Sequence, residues 1–221
     1  MTAIIDQTAP QPDIDCWVQG SEPPLDELHG HVVLIEVIQV NCPGCFVHAL
    51  PEVIRLHETY SQTNLKVFAI ATAFEHFENN TLNNLQRLLQ HGELQGDPLA
   101  QLGNADFLED GRLPYGIPFS VAMDKLVKDD SEVTADDIDS FILGQVPDFY
   151  SGSFTEEKRQ QIQQQAKSYL LKKTWNALTF EMYQLQGTPS SILIDKKGIL
   201  RQVSFGAVNT LEPVILDLLK D

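Results

Sequence analysis

Apolar runs of strand length alternate with stretches of helical spacing along this chain. Val32–Val40 is almost continuously apolar and predicts a buried strand, and Leu65–Thr72 predicts a second. Between them Phe46, Val47, Leu50, Val53, Ile54 and Leu56 recur at helical spacing, which predicts a helix over Cys45–Tyr60 with a kink at Pro51. Strand, helix and strand with short links imply parallel pairing through a right-handed crossover. Leu82, Leu85, Leu88 and Leu89 predict a helix from Thr81 to about His91, and 96–112 reads as loop and turn. Pro118–Met123 reads as a short strand ending in Asp124. Residues 126–186 read as mainly helical, with starts at Thr134 and at Ser153 or Thr155, and with Trp175–Leu185 continuing the pattern after a break. Ser191–Asp195 and Leu200–Phe205 read as strands joined through Lys196-Lys197-Gly198, a hairpin signal. Leu211–Leu219 predicts a closing helix, with Pro213 tolerated in its first turn. Residues 1–13, polar and holding Pro10 and Pro12, read as a flexible tail before a domain spanning 14–221.

Composition narrows the function classes. At 221 residues the chain fits one large domain or two small ones, and no apolar run approaches a membrane span. A net charge of −16 and the lack of a basic cluster argue against nucleic acid as a partner. Asp129, Asp130, Glu132, Asp136, Asp137 and Asp139 form the densest acidic stretch, read as a solvated face, with a docking surface for a basic partner as the alternative. The first residues carry neither a basic region nor a long apolar one, so no secretory signal is read and a cytoplasmic location is expected, with no membrane partner. Three cysteines, an odd and low count, argue against a structural disulfide framework.

Two of those cysteines lie in Cys42-Pro43-Gly44-Cys45, where the first apolar run gives way to helical spacing. A Cys-x-x-Cys at a strand-to-helix junction places its first sulfur over the helix's unpaired N–H groups, which favour thiolate over thiol. This arrangement points to dithiol–disulfide chemistry. Three further features bear on it. Thr188-Pro189 directly precedes the Ser-Ile-Leu-Ile-Asp run, where a proline cannot donate to a sheet ladder and can be cis; an ordinary loop-ending proline is the alternative. Glu36 interrupts the first strand on the face opposite Ile35 and Val37. A carboxyl in an apolar layer has a raised pKa and can relay a proton to the second cysteine; the alternative is a side chain turned to solvent. Glu75-His76 follows the second strand on the same sheet edge as Cys42, as a proton shuttle or as a plain helix-entry pair.

With these residues in view, the chain resembles the thioredoxin superfamily, in its redoxin branch of TlpA-like and AhpC/TSA-like proteins. The matching stretches are Pro24–Leu34, Cys42-Pro43-Gly44-Cys45, Ile117-Pro118-Phe119 with Asp124, and Gly187-Thr188-Pro189-Ser190 before Ile192–Asp195. They occur in family order from 24 to about 206. The resemblance implies an α/β fold, a three-layer α/β/α sandwich with a mixed central sheet, and a helical insertion at about 126–174. It also implies Cys42 as nucleophile, Cys45 as resolving thiol, a redox disulfide between them, Pro189 as the cis-proline, and Glu36 at the position of the family's buried acid. Pro43, Gly44, Thr188, Glu75 and His76 are the candidates for contact with substrate. Three departures stand out: Asn41 replaces the tryptophan usual before the first cysteine, Val37-Ile38 replaces a Phe-Trp pair, and 126–174 has no equivalent in the minimal fold.

The expected activity is thiol–disulfide exchange, with protein disulfides or small thiols and disulfides as substrates and a thioredoxin reductase or glutathione system as electron donor. No cofactor is expected. The peroxiredoxin motif Pro-x-x-x-Thr-x-x-Cys fails in both frames, since Ile38 and Cys42 precede Cys45, and Ile35 and Gln39 precede Cys42, at its two spacings. Slow peroxidase activity through a sulfenic acid stays open. Zinc needs four ligands, and only Cys16 and His48 remain without a second half-site. A redox sensor or partner-binding module is the other reading. Cys16, Trp17, Trp175, Phe180 and Tyr183 read as packing residues, and His29, His31 and His57 as surface or satisfied residues.

Overall fold

The computed structural model describes residues 2–104, 106–129, 131–152, 154–206 and 211–220. Asp130 and Ser153, singled out above, lie outside them. The chain divides into two compact units, Met1–Leu126 with Ala177–Asp221, and Val127–Asn176.

The first unit is built on one sheet. Among the described residues its strands are β1 (Ile14–Gln19), β2 (Val32–Ile38), β3 (Leu65–Ala71), β4 (Ser120–Asp124), β7 (Ser190–Ile194) and β8 (Leu200–Phe205), ordered β1-β4-β3-β2-β7-β8. β2, β3 and β4 run parallel; β1, β7 and β8 pair antiparallel, so the sheet is mixed. Every residue of β2 is buried, because both faces are covered. Val32, Leu34 and Ile38 enter one core with Phe46, Leu50, Val53 and Leu85, while Val33, Ile35 and Val37 enter a second with Phe180, Ile192 and Ile194. The period of two along β2 thus feeds two layers.

Helices α1 (Leu50–Thr59), α2 (Leu82–His91), α3 (Asp97–Gly103), α6 (Leu178–Met182) and α7 (Leu211–Lys220) complete this unit. Thr81 caps α2 by accepting the Asn84 N–H at 3.2 Å. Arg55 of α1 grips Glu212 of α7 through two nitrogens, at 2.8 and 3.2 Å, and Tyr60 donates to the same carboxylate at 2.7 Å. Asp195 closes the β7–β8 hairpin by accepting the Lys197 and Ile199 N–H groups, with Gly198 at φ +77°.

Several expectations are corrected. Residues 2–13 are tied down: Ala3 and Ala9 are buried, and Asp6 and Gln7 exchange backbone hydrogen bonds with Leu200 at 2.8 and 2.9 Å. The physical reason is that β8 is an edge strand, whose outer backbone groups this segment satisfies. β1 was not expected as a strand; its burial does not alternate and its register shifts twice against β4. α3 falls where loop was read, started by Pro98 in its first turn. Trp175–Leu185 divides into a short strand, β6 (Trp175–Ala177), and α6, rather than one helical run.

In the second unit, α4 (Ala135–Gln145) and α5 (Glu156–Lys172) pack around Ile142, Phe149 and Ala166. Thr134 and Asp137 form a reciprocal capping box at the start of α4, and Thr155 caps α5. The short strand β5 (Leu126–Lys128) pairs with β6 in a two-stranded ribbon.

Candidate functional site

The site forms where β2 ends. The chain leaves Ile38, passes Gln39–Asn41 and turns through Cys42-Pro43-Gly44 into a helix whose segment Cys45–Ala49 is a π turn, continuing as α1. Cys42 and Cys45 are joined as a disulfide, with Cα atoms 5.4 Å apart. The two sulfurs are not equivalent. Cys42 is 8% exposed and Cys45 is fully buried, so Cys42 is the sulfur a partner reaches first. The Cys45 N–H is shared between the Cys42 carbonyl at 3.1 Å and Cys42 Sγ at 3.2 Å. That donor favours negative charge on Cys42 over Cys45.

Thr188 and Pro189 face this turn. The Thr188–Pro189 peptide bond is cis, the Thr188 carbonyl lies 3.5 Å from Cys42 Sγ, and a Cβ on Gly44 would lie 3.8 Å from Pro189 Cδ. Gly44 and Pro189 therefore meet across the site, with Thr188 over the reactive sulfur. Beneath Cys42 a polar framework fixes the loops. Buried Gln39 donates to the Glu75 carbonyl at 3.1 Å and accepts the Thr188 hydroxyl at 3.2 Å. Buried Asn80 donates to the Glu75 and His76 carbonyls and accepts the Asn41 N–H at 2.9 Å.

Glu75 and His76 enter this framework through their backbone carbonyls. The Glu75 side chain is exposed, and His76, with φ +47°, turns its half-exposed ring towards Glu78 at 3.7 Å. Glu36 is fully buried on the β2 face shared with Leu34 and Ile38, the face toward the core that holds Cys42, Cys45 and Phe46. Its Oε2 accepts the Ser191 hydroxyl at 2.7 Å, and Oε1 has no hydrogen-bond partner among the described residues. Burial raises its pKa to about 8, Ser191 opposes the rise and the charge of Glu52 adds to it.

Gln39, Asn41, Asn80 and Tyr115 are site residues that sequence reasoning missed. A polar residue at the end of an apolar strand, as Gln39 is, was the available signal for one of them. Tyr115 donates its hydroxyl to the Phe46 carbonyl inside the π turn, and Asn41 accepts the Asp97 N–H at 3.0 Å. Cys16, half-buried in β1 opposite Met123, is not disulfide-bonded. His48 is exposed on the helical segment Cys45–Ala49. Among the described residues no group of three or more His, Cys, Asp or Glu side chains is placed to hold a metal ion. No helix among them is long and apolar enough to cross a membrane.

No protein-family model matches this sequence, and no curated protein matches it. Solved structures do. A thioredoxin-like superfamily protein is 24% identical, with 97% of each chain covered and a TM-score of 0.59. A thiol-disulfide isomerase from Corynebacterium glutamicum is 22% identical, with 98% of this chain and 97% of the other covered and a TM-score of 0.59. Likeness of this degree is a likeness of fold. Together with the mixed sheet, the two flanking layers and the disulfide-bonded Cys42–Cys45 turn at the end of β2, it shows that this chain has the thioredoxin-like fold.

Proposed function

We propose that this protein is a thiol–disulfide oxidoreductase that works through Cys42 and Cys45, in net reduction of protein disulfides. The observation that carries the reading is the asymmetry of the pair: Cys42 keeps 8% of its surface exposed and has the Cys45 N–H on its sulfur, while Cys45 has no exposed surface. The reduced protein attacks a substrate disulfide with the Cys42 thiolate, forming a mixed disulfide and releasing one substrate thiolate. Cys45 then gives up its proton and attacks Cys42 Sγ. The second substrate thiolate leaves, the substrate has gained two electrons and the Cys42–Cys45 disulfide remains. Glu36 is the candidate acceptor for the Cys45 proton, and Thr188 with Pro189 and Gly44 forms the surface against which the substrate chain lies. Glu75 and His76 border it. An external two-electron donor, a thioredoxin reductase or two thiols of a glutathione system, resets the pair.

The single close cysteine pair and the absence of a disulfide framework support a reducing compartment, which we take to be the cytoplasm. The shared order of motifs supports placement near TlpA-like and AhpC/TSA-like redoxins. The test is insulin-disulfide reduction. Wild type is expected to reduce insulin with dithiothreitol as donor, Cys42→Ser to lose the activity, and Cys45→Ser to trap substrate as a stable mixed disulfide. Equal activity in wild type and Cys42→Ser overturns the reading. Cell fractionation that places the protein outside the cytoplasm overturns the compartment.

A further inference from the structure

The stretch between α2 and β4 reaches the redox turn from both sides. Ahead of Cys42, the Asp97 N–H bonds to Asn41 Oδ1 at 3.0 Å; behind Cys45, the Tyr115 hydroxyl bonds to the Phe46 carbonyl. The second bond answers a defect written into the sequence. In the π turn the Leu50 N–H reaches back five residues, to the Cys45 carbonyl. By the same pattern the Phe46 carbonyl would take the N–H of residue 51, but that residue is Pro51 and has none. Phe46 is fully buried, so its carbonyl would lack a donor without Tyr115. The donor then available within the helix is the Leu50 N–H, in α register. Taking it would close the π turn and rotate Cys45, the residue whose N–H points at Cys42 Sγ.

We propose that Tyr115 is a positioning residue for the redox pair: by holding the Phe46 carbonyl it keeps the turn in π register and the Cys45 N–H on Cys42 Sγ. This rests on the Cys42–Cys45 pair being the redox centre. The N–H gains most from a charged sulfur, which exists in the reduced form and not in the disulfide. Tyr115 therefore favours the dithiol side of the equilibrium in which the protein disulfide and two glutathione thiols give the protein dithiol and glutathione disulfide.

The experiment is a double-mutant cycle between Tyr115→Phe and Pro51→Ala, read as the equilibrium with glutathione at pH 7 and as the rate of Cys42 alkylation by iodoacetamide. Weakening one charge-assisted hydrogen bond shifts the Tyr115→Phe equilibrium about fivefold toward the disulfide and slows alkylation by a similar factor. Pro51→Ala gives residue 51 an N–H for the Phe46 carbonyl, so adding Tyr115→Phe to it shifts the equilibrium by less than about twofold. A Tyr115→Phe protein with the wild-type equilibrium, however much stability it loses, overturns the proposal. So does an equal shift in both backgrounds. Should Tyr115→Phe alone fail to fold, Pro51→Ala must restore folding, and failure to do so overturns the proposal as well. The wild-type arm separates the two readings: a wild type that exchanges no disulfides removes the redox function itself, whereas an active wild type matched by Tyr115→Phe removes the role of Tyr115 alone.

Discussion

Glu36 and Asp124, the two most deeply buried carboxyl groups among the described residues of the sheet-based unit, are treated in opposite ways. Asp124, at the end of β4, accepts the Thr72 hydroxyl at 2.7 Å and the Thr179 and Phe180 N–H groups at 2.9 and 3.2 Å. It thereby caps α6 from a distance, supplying the acceptor that the helix's own first residues lack. Glu36, in the middle of β2, has one donor, Ser191, and an oxygen with no partner among the described residues. Burial raises the pKa of both, but hydrogen bonds from Thr72, Thr179 and Phe180 pull Asp124 back, whereas Glu36 is carried to about 8. A buried carboxyl with its lone pairs filled builds structure. One left short of partners is costly to ionise and exchanges its proton near neutral pH, which suits the resolving role proposed for Cys45 in the same core.

The largest effect expected from breaking this comparison is at Asp124. Asp124→Ala strands three buried donors, two of them on the backbone. At ~1–3 kcal/mol per orphaned group, the loss is about 3–5 kcal/mol in denaturant unfolding. Insulin reduction per folded molecule stays within about twofold of wild type, because no step of the exchange passes through this group. A loss of exchange without a loss of stability would show that the division between the two carboxyls is false.

Glu36 is expected to behave in the reverse sense. Its folded pKa, about 8, lies above the ordinary value of 4.5, so its contribution to stability is fully present below about 4.5 and is lost as pH rises through 8. Glu36→Gln resembles the protonated side chain and removes that slope. The variant should match wild type near pH 4 and exceed its stability by about 3 kcal/mol at pH 7, at about 1.4 kcal/mol per unit. Resolution of the mixed disulfide should slow by about tenfold or more and lose its rise with pH through 8, since the proposed proton acceptor is gone. Stopped-flow release of substrate thiol and urea unfolding from pH 4 to 8 check the two halves. Equal slopes in both proteins would place Glu36 outside the titration.

These two residues also mark what could be read without the structure. Glu36 was legible because it breaks a local apolar run, and the Cys42–Cys45 turn because strand and helix patterns meet at it. The strands β2, β3 and β7 were legible because nearly all of their residues are buried and the hydrophobic signal is dense, whereas the half-exposed β8 was legible through the Lys196-Lys197-Gly198 hairpin spacing before it. The role of Asp124 as a cap depends on Thr179 and Phe180, 55 and 56 residues away. Gln39, Asn80 and Tyr115 act on partners 36, 39 and 69 residues away. No local spacing encodes such pairs. β1 escaped because an irregular edge strand shows little alternation, and residues 2–13 because backbone pairing to β8 needs no apolar side chains.

The finest test exchanges single hydroxyl donors on the two carboxyls. Ser191→Ala removes the only donor seen on Glu36 among the described residues, and Thr72→Val removes one of three on Asp124. Each change deletes one hydrogen bond, worth about 1 kcal/mol, so the two stability losses at pH 5 should be similar. Their pH dependence should differ. Without Ser191 nothing offsets desolvation at Glu36, its pKa climbs further above 8 and the wild-type loss of stability with rising pH extends to higher pH. Resolution of the mixed disulfide should then reach its full rate at higher pH too. With Thr72→Val, Asp124 keeps two backbone donors that α6 cannot place elsewhere, so the shift in slope is smaller and the exchange profile is unmoved. Matching profiles in the two variants would mean that the carboxyls differ in the number of their partners but not in what that number does.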